Sequence, residues 1–201
     1  MRLADDVAQA LAPVDVVLVP AGDPPHRGAP HAVAADRVAM LRLALAEFPR
    51  LALDTREIAR GGKSYTVDTL AAIRGDMPGR PLLLLVGADA FLGFPKWHRW
   101  MDLFDLAHIV VVPRPGVTLD RTLSGPLAAQ WQARSTTDAG LLRARAAGSI
   151  YVQPVAAQPI SSTAIRAALA DGGSRAVEIA GLLPAAVLAY IESNRLYIQP
   201  R

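Results

Sequence analysis

Leu82-Leu83-Leu84-Leu85-Val86-Gly87-Ala88-Asp89 decides the fold of this 201-residue chain. Five aliphatic residues run without a polar break and stop at a glycine, too short a run for the ~20 residues that span a bilayer. Such a run is a strand buried on both faces, as in a parallel sheet covered by helices. Val14–Val19, Ile109–Val112 and Ile150–Val155 have the same character, and Leu51–Leu53 is a shorter version. Between them the apolar spacing turns helical. Leu3, Val7 and Leu11 form one stripe, and Val38, Leu41, Leu45 and Phe48 form another that Pro49 ends. Thr66 is placed to cap a helix carrying Val67, Leu70 and Ile73 and closed by Gly75. Trp97, Trp100, Met101 and Phe104 share a helical face. Ile165 and Leu169 share another, stopped by Asp171-Gly172-Gly173, and Pro184 opens a last helix with Val187, Leu188 and Ile191 inward. Alternation of this kind predicts a doubly wound α/β fold in one domain, 1–201. The stretch 117–148 is weakly periodic and reads as an irregular insertion, and 160–197 reads as closing helices.

Composition narrows the class. Hydrophobic residues make up 52% and charged residues 19%, which excludes a disordered chain. There are 0 Cys, which excludes disulfide scaffolds and thiolate metal sites and fits a reducing compartment. The net charge of +3 comes from scattered Arg, since only Lys63 and Lys96 are lysines. Scattered cations are not a nucleic-acid patch. The early acids Asp5 and Asp6 do not suit a signal peptide. The expectation is a cytoplasmic protein that binds neither nucleic acid nor membrane.

Familiar phosphate motifs fail. No G-x-G-x-x-G is present, and Gly62-Lys63-Ser64 mimics the end of a P-loop without a strand to feed it. His26, His31, His98 and His108 lack metal-ligand spacing, and no metal ligands are assigned. More informative is Ile160-Ser161-Ser162-Thr163-Ala164-Ile165-Arg166. Hydroxyls and free amides at a helix N-terminus, with an arginine one turn in, suit a phosphate, though a plain cap with a surface Arg has the same spacing. Gly87 and Asp89 stand at a strand's carboxyl end, where open α/β sheets bind ligands. Trp97 sits among cations, where an acidic ring could stack; a core tryptophan fits equally well.

Taken in order, Val19-Pro20, Pro24-Pro25-His26, Ser64-Tyr65-Thr66, Gly87-Ala88-Asp89, Trp97, Arg114-Pro115-Gly116 and Ile160-Ser161-Ser162-Thr163 with Arg166 resemble the bacterial nicotinate-nucleotide adenylyltransferases. These belong to the Rossmann-like nucleotidyltransferase superfamily, and the resemblance runs from Met1 to about Tyr197. It implies transfer of AMP from ATP to nicotinate mononucleotide, giving deamido-NAD and pyrophosphate, with Mg²⁺ on the phosphates and no covalent enzyme intermediate. Carried over, Ser161, Ser162, Thr163 and Arg166 bind the ATP phosphates. Gly87 and Asp89 meet the ribose. Trp97 stacks on the pyridine ring, and Tyr65 and Thr66 line its pocket. His26 and Arg114 lie beside the phosphate channel. Pantetheine-phosphate adenylyl transfer fits Trp97 and the Ser-Tyr-Thr loop less well.

One departure is large. In the family a glycine-rich strand end and F-D-P-x-H-x-G-H precede the first helix, and Met1 stands where the residue after the second His belongs. The resemblance therefore predicts a start further upstream, a first, central strand missing from the chain as written, no catalytic residue within it, and a chain that is inactive as written. A genuine short form acting as a non-catalytic nucleotide-binding protein is the alternative.

Overall fold

The computed structural model describes residues 1–12, 14–23, 32–113, 119, 123–155, 162–170 and 181–197. It divides into two compact units, one of residues 1–63 with 158–201 and the other of residues 64–157.

In the first unit, helix α1 (Arg2–Ala10) leads to strand β1 (Val16–Leu18), helix α2 (Ala34–Leu45), strand β2 (Leu51–Leu53) and the short helix α3 (Arg56–Arg60). β1 and β2 pair in parallel, Val16 opposite Leu51 and Leu18 opposite Leu53. The expected Leu3–Val7–Leu11 stripe is corrected at one end. Leu3 is exposed, and the buried face is Ala4, Val7, Ala8 and Leu11. That set follows the i, i+3, i+4, i+7 spacing of one helical face, and its small residues let the helix lie close. Helix α2 ends at Leu45, before Pro49; Phe48 closes the following turn through its N–H to the Leu45 carbonyl at 2.9 Å. Expected burial on both strand faces fails at β1, where Val17 is 46% exposed.

The second unit holds a four-stranded parallel sheet. Helix α4 (Thr66–Asp76) precedes strand β3 (Leu83–Gly87) and the short helix α5 (Ala88–Leu92). Helix α6 (Leu103–Leu106), strand β4 (His108–Val112), helix α7 (Gly125–Arg134) and strand β5 (Ser135–Thr136) follow, then helix α8 (Leu141–Ala144) and strand β6 (Ile150–Val152). The strand order is β3-β4-β6-β5, every pair parallel. β4 is buried at all five positions, as its unbroken apolar run requires. Around it lie Phe91, Phe94, Leu103, Phe104 and Ile150, each almost fully buried. Arg74 fastens the lower end of this unit, its guanidinium donating to the Leu106 carbonyl at 2.6 Å and the Ala146 carbonyl at 2.8 Å.

Three local expectations change. Thr66 is the first helical residue of α4 and Tyr65 is its cap, without a side-chain cap bond, while the helix runs one residue past Gly75. The helix expected over Trp97–Phe104 is two 3₁₀ turns, Phe94–Lys96 and Trp100–Asp102, followed by α6. Pro95 removes a backbone donor, and Arg99 adopts a left-handed conformation with φ of 50°, so a continuous ladder cannot form. The segment 117–148 contains a regular ten-residue helix, α7, and a strand paired in parallel with β6.

The remaining described elements belong to the first unit. They are helix α9 (Ser162–Ala170), matching the Ile165–Leu169 face, and helix α10 (Ala185–Ser193), capped by Pro184 with Val187 and Ile191 buried. The expected stop at Asp171-Gly172-Gly173 lies outside the described residues.

Candidate functional site

In the second unit the candidate residues come from three segments. β3 delivers Gly87, exposed, at its carboxyl end. Asp89 follows in the first turn of α5, also exposed, while Ala88 and Phe91 beneath it are fully buried. This anchors a polar turn on a rigid apolar floor. Trp97 is half-buried, with its ring 4.8 Å from that of Phe94 and inclined at 46°. One face of the indole therefore rests on the core and part of it stays accessible. A Cβ at Gly93 would crowd the Ala90 carbonyl oxygen at 3.3 Å but would meet the indole Nε1 at an ordinary 3.8 Å.

Tyr65 stands ahead of α4 in an extended conformation. Its ring lies 4.4 Å from that of His98 at an interplanar angle of 39°. The sequence reading set His98 aside as a lone histidine; its place between Trp97 and Arg99 was the available signal. Amides of the first turn of α4 lie ahead of the helix's own ladder and face anions favourably. Ser64, quoted within the Ser-Tyr-Thr segment, was given no role of its own. It is 7% exposed, and its Oγ has no hydrogen-bond partner among the described residues. An orphaned buried hydroxyl costs free energy until something pairs with it.

Gly61-Gly62-Lys63 is not a P-loop. It follows α3 rather than a strand, both glycines have positive φ, and Lys63 pairs through its backbone with Asp23.

In the first unit, Ser162 and Thr163 are exposed at the start of α9, and Arg166 is half-buried one turn on. Tyr197 reports on its surroundings. Burial pushes its phenol up, while Arg166 and Arg37 pull the other way. Arg37 donates to the Ala21 carbonyl at 2.6 Å and the Gly22 carbonyl at 3.3 Å. Buried Glu57 accepts from the Gly22 N–H at 3.3 Å. The turn at the carboxyl end of β1 is thus held from both sides by side chains the sequence reading did not single out. His26, Arg114 and Ser161 lie outside the described residues. Among the described residues no group of three or more His, Asp or Glu converges to hold a metal ion, and no helix is long and apolar enough to cross a membrane.

Comparison with known proteins gives a consistent picture. Residues 1–168 match the cytidylyltransferase-like family. A probable nicotinate-nucleotide adenylyltransferase of Laribacter hongkongensis is 47% identical, over 98% of this chain and 87% of its own length. One from Acidithiobacillus ferrooxidans is 42% identical over 100% of this chain and 89% of its own. Among solved structures, Plasmodium falciparum nicotinic acid mononucleotide adenylyltransferase complexed with NaAD superposes with a TM-score of 0.70 at 12% identity, covering 98% of this chain and 88% of that one. The same enzyme complexed with APC gives 0.68. The structural likeness establishes the Rossmann-like fold, and the sequence likeness is far above what fold alone produces. The chain belongs to the nicotinate-nucleotide adenylyltransferase family, within the cytidylyltransferase-like group.

Proposed function

We infer that the protein transfers the adenylyl group of ATP to nicotinate mononucleotide. The observation that carries this reading is the 47% identity to a probable adenylyltransferase over nearly the whole chain. A phosphate oxygen of the mononucleotide attacks the α-phosphorus of ATP in line. The bond from that phosphorus to the β-bridging oxygen breaks, and pyrophosphate leaves with the electron pair. The protein's work in such a displacement is positioning and charge stabilisation.

Residue roles follow the two units. Ser162, Thr163 and Arg166 take the ATP phosphates at the start of α9, with Ser161 adjoining. A guanidinium there makes a forked pair with phosphate oxygens. Gly87 and Asp89 meet the ribose. Trp97 offers its accessible face to the pyridine ring, and the first turn of α4 with Tyr65 and Thr66 receives the carboxylate. Ser64 gains its missing partner when that pocket fills. His26 and Arg114 attend the phosphates. Mg²⁺ bound to the ATP phosphates would supply further charge neutralisation at the transferred group. The cytoplasm, expected from the sequence, belongs to the same proposal.

Pyrophosphate release tests the reading. It should require ATP and nicotinate mononucleotide together. Binding of both nucleotides with no release under any condition would favour a non-catalytic nucleotide-binding protein instead.

A further inference from the structure

A cavity lies on the opposite edge of the four-stranded sheet from Gly87. It occupies about 360 Å³ at the amino ends of β5 and β6 and is lined by Arg134, Ser135, Thr136, Arg145, Gly148 and Ser149 among others. That volume falls at the lower end of the ~300–1,000 Å³ typical of small-molecule sites. Two guanidiniums and three hydroxyls line it, and no carboxylate does. We propose that this cavity is a binding site for a small phosphate-bearing anion, separate from the adenylyl-transfer site.

Arg134 is held in place without being neutralised. Its Nε donates to Gln130 Oε1 at 2.6 Å, its Nη1 to the Gly148 carbonyl at 3.3 Å, and its guanidinium lies 5.1 Å from the centre of the Phe104 ring. None of these partners is an acid, and no ion pair of Arg134 or Arg145 occurs among the described residues. Gly148 makes the arrangement possible. With φ of 102° it takes a backbone conformation other residues avoid, while a Cβ there would make only ordinary contact, 3.5 Å, with Arg134 Nη1. Arg145 is exposed at the rim and free to close on a ligand. Thr136 Oγ1 accepts from the Asp138 N–H at 3.0 Å, which leaves its hydroxyl hydrogen to donate. Forked cations with hydroxyl donors match a phosphate's oxygens better than a single carboxylate, which has too few acceptors to use them.

The cavity also has a reporter. Ser149 N–H donates to His108 Nδ1 at 3.0 Å, and His108 Nε2 bonds the Arg145 carbonyl at 2.9 Å. His108 is therefore wired to both ends of the rim. Burial, foremost, lowers its pKa; the hydrogen bond to the Arg145 carbonyl works against that, and the Arg74 and Arg145 guanidiniums lower it further, so an anion beside Arg145 should raise it.

Inorganic phosphate is the probe, titrated into the ¹⁵N-labelled protein at constant ionic strength with chloride as the control. Saturable shifts are expected at the Ser135, Thr136, Gly148 and Ser149 amides, with the His108 imidazole titrating higher as the site fills. Arg145→Met should weaken the binding at least fivefold while leaving pyrophosphate release without added phosphate unchanged. Ser135→Ala, a milder change on a second element, should weaken it too. Shifts confined to Ser162–Arg166, or a linear response equal to that of chloride, or full binding in both variants would each overturn the proposal.

Discussion

Tyr190 donates its phenolic hydrogen to Asp36 Oδ1 at 2.9 Å, joining positions 154 residues apart. The contact docks α10 on α2, where Ala44, Val187 and Ile191 form a shared apolar patch. Asp36 precedes Arg37, which holds the turn after β1. One α2 turn therefore carries both the clasp for the C-terminal helix and the clasp for a strand end. The bond holds the Tyr190 hydroxyl above its ordinary value, chiefly by donating to a carboxylate, and burial does the same to Tyr197. Two of the 4 tyrosines should thus ionise late in an absorbance titration. Raised phenols stabilise the fold fully below about pH 10 and lose that contribution as pH rises through their folded values. Tyr190→Phe should remove one late transition and lower the melting temperature. An unchanged titration would mean the bond does not form in solution.

His108 sets an acid limit. It is fully buried and accepts from Ser149 at Nδ1, so it is neutral with its hydrogen on Nε2. Burial, foremost, lowers its pKa. The unfolded chain then takes up a proton that the folded chain refuses, so stability is full above about pH 6.5 and falls as pH drops from there through the folded value. Chemical denaturation across that window should show the fall. His108→Gln should start about 1–3 kcal/mol less stable and lose most of the pH slope, because it keeps a donor and an acceptor but does not titrate.

Ser64 separates folding from binding. An unpaired buried hydroxyl contributes nothing to the empty fold, so Ser64→Ala should change stability by less than about 1 kcal/mol or improve it. KM for nicotinate mononucleotide should rise several-fold with KM for ATP unchanged. A large loss of stability with normal KM values would make Ser64 a core residue.

Arg166 should act on the ATP phosphates. Its bond strengthens as charge develops, so Arg166→Met should lower kcat/KM for ATP by about 10²-fold. Arg166→Lys should remain impaired, since a point charge cannot reproduce the fork. A fully active lysine variant removes Arg166 from the site.

How much of this was legible beforehand depended on how local each signal was. Ile109–Val112 announces itself because full burial demands an unbroken apolar run, and Leu82–Val86 has the same run although only Val86 in it is buried. The place of Gly87 and Asp89 at a strand's carboxyl end was legible, because the apolar run before them stops there, and both are exposed at that end. The break at Arg99 was invisible, since the Trp97–Phe104 spacing suits a helix and only Pro95 hinted otherwise. The α7 helix escaped because only Leu127 of its residues is buried, leaving almost no periodic stripe to read. Arg37, Glu57 and His108 work through long-range bonds to backbone, which leave no pattern in neighbouring residues. Ser64 was in view within the Ser-Tyr-Thr segment, but that its hydroxyl is orphaned is a fact of packing.

The central claim is that Trp97 recognises the pyridine nucleotide and has no part in holding ATP. Titration calorimetry of nicotinate mononucleotide and, separately, ATP into the wild-type protein and Trp97→Ala measures it directly. Aromatic stacking is worth about 1–3 kcal/mol, so affinity for nicotinate mononucleotide should fall at least tenfold while that for ATP changes less than about twofold. Equal losses for both ligands, or no loss for nicotinate mononucleotide, would show that Trp97 serves only to pack against Phe94 and would contradict the account.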